Sequence, residues 1–322
     1  MESLASAEMA DRFARPAARA TAPVIVSNPR RAGAKKALGC GATSCQTFVM
    51  LRLARSRMAA LAVAFSIGFA VLAGGWAAAA RAQAVDLELV LAVDISWSMD
   101  PEEQQLQREG YVAAFRDREV QRAIASGAHR RIAVTYMEWA GPHIQRVVIP
   151  WTLVGTPVEA ESFAAALAAA PISRDRMTSV SAALRFAGEL LSERPDTGAR
   201  RVIDVSGDGP NNSGGTVTNV RDKLIADGIS INGLPILVRP SLSSMFDISN
   251  LLDYYEGCVI GGPGSFAIPI HERSEFLTAT RRKLLLEIAG AEPQLHRAQF
   301  RPPSSDVDCH IGEKLWQRYM DR

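Results

Sequence analysis

Histidine and cysteine are scarce. Five histidines (129, 143, 271, 296 and 310) are scattered over 322 residues, and there are four cysteines. No His-Glu-x-x-His pair occurs, which excludes the helical zinc-protease pattern. The Gly-x-x-x-x-Gly-Lys-Ser/Thr loop is also missing, so no Walker-type phosphate cradle supports nucleotide hydrolysis. Ser206 lies in Asp-Val-Ser-Gly-Asp, without the first glycine of a nucleophile elbow. A phosphatase with an aspartate nucleophile wants a second Asp two residues after the first, and Ser96 holds that place after Asp94. The run from Gly262 to Ala267 spells Gly-x-Gly-x-x-Ala, but Pro269 interrupts the helix that should follow. It also comes late rather than after the first strand, so it reads as a turn.

Net charge is small as well, +2, yet it is unevenly spread. Residues 1–84 carry 11 Lys and Arg against 3 Asp and Glu, whereas the remaining 238 carry 25 against 31. A basic leader ahead of a mildly acidic body is what export produces, and it argues against a nucleic-acid surface on the body. Arg52, Arg55 and Arg57 precede an apolar stretch, 58–80, and Ala82-Gln83-Ala84 follows as a small-x-small cleavage site. Residues 50–84 therefore read as a signal peptide, with cleavage leaving Val85 first, or as an uncleaved anchor. Residues 1–49, rich in Ala, Arg and Pro without a sustained period, read as a disordered or mis-assigned extension, with translation starting at Met50 or Met58. Loss of the leader leaves Cys258 and Cys309, which in an oxidising compartment either pair or stay as two separate thiols.

Between 85 and 290 strand-like and helix-like segments alternate, with no internal repeat or low-complexity linker. Strands are expected at 86–93, 131–139, 145–151, 201–205 and 229–237, with a further run near 258–260. Helices are expected at about 101–124, 159–169, 180–192, 217–226 and 274–288. Asp100, Pro101 and Glu103 mark the first helix start as N-cap, first position and capping-box partner. Such alternation implies an α/β fold: a doubly wound, mostly parallel sheet with helices on both faces, and an antiparallel edge strand from the hairpin-like pair. Residues 291–322 read as a solvated C-terminal tail.

Chemistry gathers where strands end. The first strand runs into Asp94-Ile95-Ser96-Trp97-Ser98, and alternate residues of an extended segment face one way. Asp94, Ser96 and Ser98 thus offer one carboxylate and two hydroxyls to one point, a set that suits a hard divalent cation. A Ser- and Asp-rich capping turn has the same composition. The strand 201–205 ends in Ser206-Gly207-Asp208-Gly209-Pro210-Asn211-Asn212, which brings Asp208 to the same edge, and Thr178 precedes the helix 180–192. Two carboxylates and three hydroxyls make six oxygens once a water or guest is added, the number Mg2+ favours.

Asp-x-Ser-x-Ser, a Thr before a central helix and a later Asp-Gly resemble the metal-ion-dependent adhesion site of von Willebrand factor type A domains over roughly 86–290. Asp-Ile-Ser-x-Ser-Met-Asp, Ser-Gly-Asp-Gly-Pro-Asn-Asn, Cys-Val-Ile-Gly-Gly-Pro-Gly and Arg-Arg-Lys-Leu-x-Leu-Glu-Ile-Ala-Gly further resemble an uncharacterised bacterial group of exported A-type proteins. The resemblance implies that Asp94, Ser96, Ser98, Thr178 and Asp208 hold Mg2+, Mn2+ or Ca2+, and that a carboxylate of a partner protein fills the open position. The second loop departs from the family pattern: Arg176 and Met177 stand where small residues are usual. Trp97 either faces a partner or packs on its own loop, and Asp100 caps the helix. The expected function is a non-enzymatic, exported protein-binding module, periplasmic or secreted in a Gram-negative cell, touching a membrane only through a retained leader. A metal-dependent hydrolase, or an interaction domain that binds no metal, remains open beside it.

Overall fold

The computed structural model describes residues 83–194, 199–238, 248–290 and 307–322. Strand β1 (Leu87–Asp94) is buried along its whole length, as a near-continuous apolar run predicts for a central parallel strand. β2 (Ile132–Trp139) and β4 (Arg200–Gly207) flank it in parallel register, and β5 (Ile229–Pro235) adds to β4 in parallel. β3 (Gln145–Val154) pairs antiparallel with β2 at the edge. The order is β3-β2-β1-β4-β5, so successive crossovers leave β1 in opposite directions. In a sheet wound this way, a crevice opens between β1 and β4 beyond their carboxyl ends.

Alternation along β1 divides the core. Leu87, Leu89, Leu91 and Val93 face helices α1 (Pro101–Arg116), α2 (Arg118–Ser126), α3 (Pro157–Ala169) and α7 (Phe276–Ala289), meeting Tyr111, Phe115, Phe163 and Leu284. Val90 and Ala92 face α4 (Val180–Ser192), α5 (Val217–Ala226) and the short α6 (Leu251–Tyr254), meeting Ala183, Leu184, Leu224 and Tyr255. The α/β class, the doubly wound sheet with one antiparallel edge strand and the helices on both faces are all present.

Three expectations need correction. The helix expected at 101–124 is two, because Asp117 leaves helical geometry and its carboxylate accepts the amides of Glu119 and Val120, capping a new start. The strand expected near 258–260 is a π turn, Tyr255–Val259, whose buried face closes on the sheet. The tail reading of 291–322 fails for its described part: α8 (Ile311–Met320) follows Cys309, which is disulfide-bonded to Cys258. The 262–267 run makes turns and isolated bridges, and residues 268–272 directly after it are not helical.

Candidate metal centre

The first loop leaves β1 with its geometry fixed by short-range bonds. Asp94 is fully buried, and its Oδ1 accepts the amide of Ser96 at 2.6 Å. Ser96 Oγ lies 2.8 Å from Ser98 Oγ, and Ser98 Oγ donates to Asp208 Oδ1 at 2.7 Å. Four of the five expected residues thus form one run of oxygens across the mouth of the β1–β4 crevice. Asp100 then caps α1 through a complete capping box with Glu103, and it also pairs with Arg273. Its carboxylate is therefore engaged with the helix start.

The third loop comes close because Gly207 lets it. A Cβ there would lie 2.8 Å from Asp94 Oδ2 and 2.9 Å from the Tyr255 hydroxyl, so any side chain would displace one of them. Both of those oxygens are buried without a hydrogen-bond partner. Ser206 points away from this space and accepts from Gln107 Nε2 at 2.7 Å.

Thr178 adjoins the cluster differently. It is buried, but the tie runs through its backbone: its amide donates to Asn212 Oδ1 at 3.0 Å, and its carbonyl accepts from the Asn212 amide at 2.9 Å. No hydrogen bond joins its hydroxyl to Asp94, Ser96, Ser98 or Asp208 among the described residues. Met177 before it has φ 69°, a left-handed conformation that costs a non-glycine residue strain. Asn211 is the hub that sequence reasoning missed. Its Oδ1 accepts the Ser181 amide at the start of α4, its amide donates to the Tyr254 hydroxyl, and its Nδ2 donates to Gly215 O and to Glu313 Oε1 on α8. The Asn-Asn pair after Asp-Gly-Pro was the available signal, since buried amides in loops hold neighbouring loops by paired bonds.

Burial dominates the electrostatics of Asp94. Burial raises its carboxyl to about 7, against the opposing hydrogen bonds from Ser96 and the Asp208 amide. Burial, and then the charges of Asp94 and Asp208, push the Tyr255 hydroxyl well above its ordinary range. Among the described residues, no three His, Cys, Asp or Glu side chains cluster as a metal-binding group. The donor set here is two carboxylates with hydroxyls, all hard oxygens, and it contains a buried carboxylate oxygen with no partner. That combination fits a divalent hard cation.

A family model described as Protein of unknown function (DUF1194) matches residues 84–292. The chain belongs to that family. No curated protein matches its sequence. Solved structures with similar folds include the pilus adhesin SpaC from Lactobacillus rhamnosus GG in its open conformation, at 12% identity and TM-score 0.49, covering 63% of this chain and 30% of that one. Proximal thread matrix protein 1 from the mussel byssus, with a zinc-occupied MIDAS motif, is 14% identical at TM-score 0.44, covering 64% of this chain and 48% of that one. A von Willebrand factor type A protein from Catenulispora acidiphila is 14% identical at TM-score 0.42, covering 64% and 43%. The DUF1194 chain spans less than half the length of each of these proteins.

Proposed function

We propose that this protein is an exported, metal-ion-dependent protein-binding module. Asp94, Ser96, Ser98, Thr178 and Asp208 would hold a divalent cation, Mg2+ first, with Mn2+ or Ca2+ as substitutes. A bound cation supplies an electrophilic open position that a carboxylate on a partner protein can fill. The protein's own part is to hold Asp94 dry, keep both serine hydroxyls in line with Asp208, and anchor the second loop through Asn212.

One observation carries this reading. Six carboxylates are buried among the described residues: Glu88, Asp94, Glu103, Glu138, Asp204 and Glu287. Five of them meet a cation from the chain. Arg194 pairs with Glu88, Arg273 with Glu103, Arg108 and Arg146 with Glu138, and Lys283 with both Asp204 and Glu287. Among the described residues Asp94 alone has none, and a buried charge without a partner is expensive. An external cation would supply that partner.

Export is supported by the leader pattern of residues 50–84 and by the Cys258–Cys309 disulfide, a bond that persists in oxidising compartments. No helix among the described residues is long and apolar enough to cross a membrane. The periplasm of a Gram-negative cell, or the medium, is the proposed location.

The test is calorimetric titration of Mg2+, Mn2+ and Ca2+ into the protein and into Asp94→Ala and Asp208→Ala. Saturable binding lost in both variants supports the site, whereas binding retained in either removes that residue from it. A carboxyl held near neutrality is also what a general base would need. Turnover of phosphate or carboxylic esters that disappears in Asp94→Ala would replace the binding reading with a hydrolytic one.

A further inference from the structure

Among the described residues three arginines stack on aromatic rings. Arg108 lies over Tyr136, Arg194 over Trp151, and Arg176 over Trp97, the last at 4.5 Å from the ring centroid. The first two guanidinium groups also pair with buried glutamates, Glu138 and Glu88. Arg176 has no carboxylate partner among the described residues, and it is exposed. Its ring, Trp97, is 54% exposed and sits between the two serines of the first loop. Stacking on an aromatic face orients a guanidinium without neutralising it.

The two loops that present this pair are held rigidly against each other. The Asp175 amide donates to Ile95 O at 2.9 Å, and Ser96 and Asp175 form a parallel bridge. Arg174 Nη2 donates to the carbonyls of Trp97 and Met99, bracing the first loop from the second. The Asp175 carboxylate accepts the Arg176 amide, so it turns to the backbone and not to the guanidinium. A pre-set, uncompensated cation on an exposed aromatic, one residue from two proposed metal ligands, is complementary to an anion on whatever occupies the site.

We infer that Trp97 and Arg176 form a second reading position for the partner, and that the recognised segment carries two carboxylates, one for the metal centre and one for Arg176. This rests on the metal-binding reading above. In an extended segment, acids two residues apart present their side chains on one face, roughly 7 Å apart, so an Asp-x-Asp or Asp-x-Glu sequence is the simplest fit. Trp97 contributes by orienting the guanidinium and by covering apolar atoms of the residue between the acids.

The probes are two blocked peptides, acetyl-Gly-Asp-Gly-Gly-amide and acetyl-Asp-Gly-Asp-Gly-amide, titrated into the protein in saturating Mg2+, after calorimetric titration of Mg2+ alone. The diacid should bind about tenfold tighter, as a charge-assisted contact gives. In Arg176→Gln that preference should vanish while Mg2+ affinity and monoacid binding stay unchanged, and Trp97→Ala should reduce it. Equal binding of both peptides by the unsubstituted protein, or a preference that survives in Arg176→Gln, overturns the inference. If the protein takes up no Mg2+, the underlying metal reading has failed, and the first titration shows this before any peptide is added.

Discussion

Replacing Asp94 by Asn separates the stability of this protein from its function in a direction that can be computed. In the metal-free protein the Asp94 carboxyl is raised from 3.8 to about 7 by burial. Below pH 4 the group is protonated whether the chain is folded or not, and it contributes nothing. Between about 4 and 7 the unfolded chain gives up the proton while the folded one keeps it, so stability falls as pH rises. Above 7 the full penalty applies. About three units at roughly 1.4 kcal/mol each make about 4 kcal/mol. Asn cannot ionise, and its Oδ1 still accepts the Ser96 amide. At pH 8 with chelator, Asp94→Asn should therefore melt higher than the unsubstituted protein, by on the order of 10 °C for a domain of this size. The gap should close towards pH 4. Millimolar Mg2+ should raise the melting temperature of the unsubstituted protein and leave the variant where it was. A variant that melts lower at pH 8, or one stabilised by Mg2+ as much as its parent, would refute both the burial cost and the role of Asp94 as ligand.

Gly207→Ala places a methyl group 2.8 Å from Asp94 Oδ2. Overpacking of this kind costs about 1–3 kcal/mol, so Mg2+ binding measured by calorimetry should weaken by about tenfold or more; unchanged affinity would mean the third loop is not seated as described. Removing the Cys258–Cys309 bond as a double Ser variant opens a loop with a sequence separation of 51, worth up to about 4 kcal/mol by chain entropy. Thermal unfolding with and without reductant checks this, and a parent protein indifferent to reductant would contradict it. Lys283→Met strips the cation from Asp204 and Glu287 and should destabilise by about 3–5 kcal/mol in denaturant unfolding. Adding Glu287→Gln to that variant should recover part of the loss, because one uncompensated charge is then gone.

The fold was legible wherever local chemistry and burial agreed. The apolar run of β1 could only be a strand buried on both faces, and Asp100, Pro101 and Glu103 make a helix start whose capping box is complete in the structure. Legibility failed where one pattern serves two structures. A short apolar run such as Cys258-Val259-Ile260 suits a strand or a single buried turn, and here it forms the turn, with Cys258 bonded to Cys309. Asp117 sits inside a helical periodicity, and only its bonds to the two following amides show that it ends one helix and begins the next. Within the site, the spacing Asp94, Ser96, Ser98 was readable because alternation maps directly onto one face. Asp208 followed from its place after a strand. The environment of Asp94 was not readable, since dryness depends on Gly207 and Tyr255, which lie 113 and 161 positions further along the chain.

The C-terminal helix shows why ligand spacing alone does not define this centre. Asn211 is three residues beyond Asp208, and its side chain and amide are tied at once to α4, to Tyr254 and to Glu313. Gly312 lets α8 approach so closely that a Cβ there would stand 2.1 Å from the Asn211 carbonyl. The disulfide fixes that helix to the turn carrying Tyr254 and Tyr255, and Tyr255 in turn faces Asp94. The third loop is therefore clamped between α4, which the second loop enters, and a helix more than a hundred residues downstream. Loosening α8 would free Asn211, and with it the bond that sets the first turn of α4 beside Thr178. Asn211 ties the third loop to the start of α4 and Asn212 ties it to Thr178, so the geometry of the centre is a property of the whole carboxyl edge of the sheet.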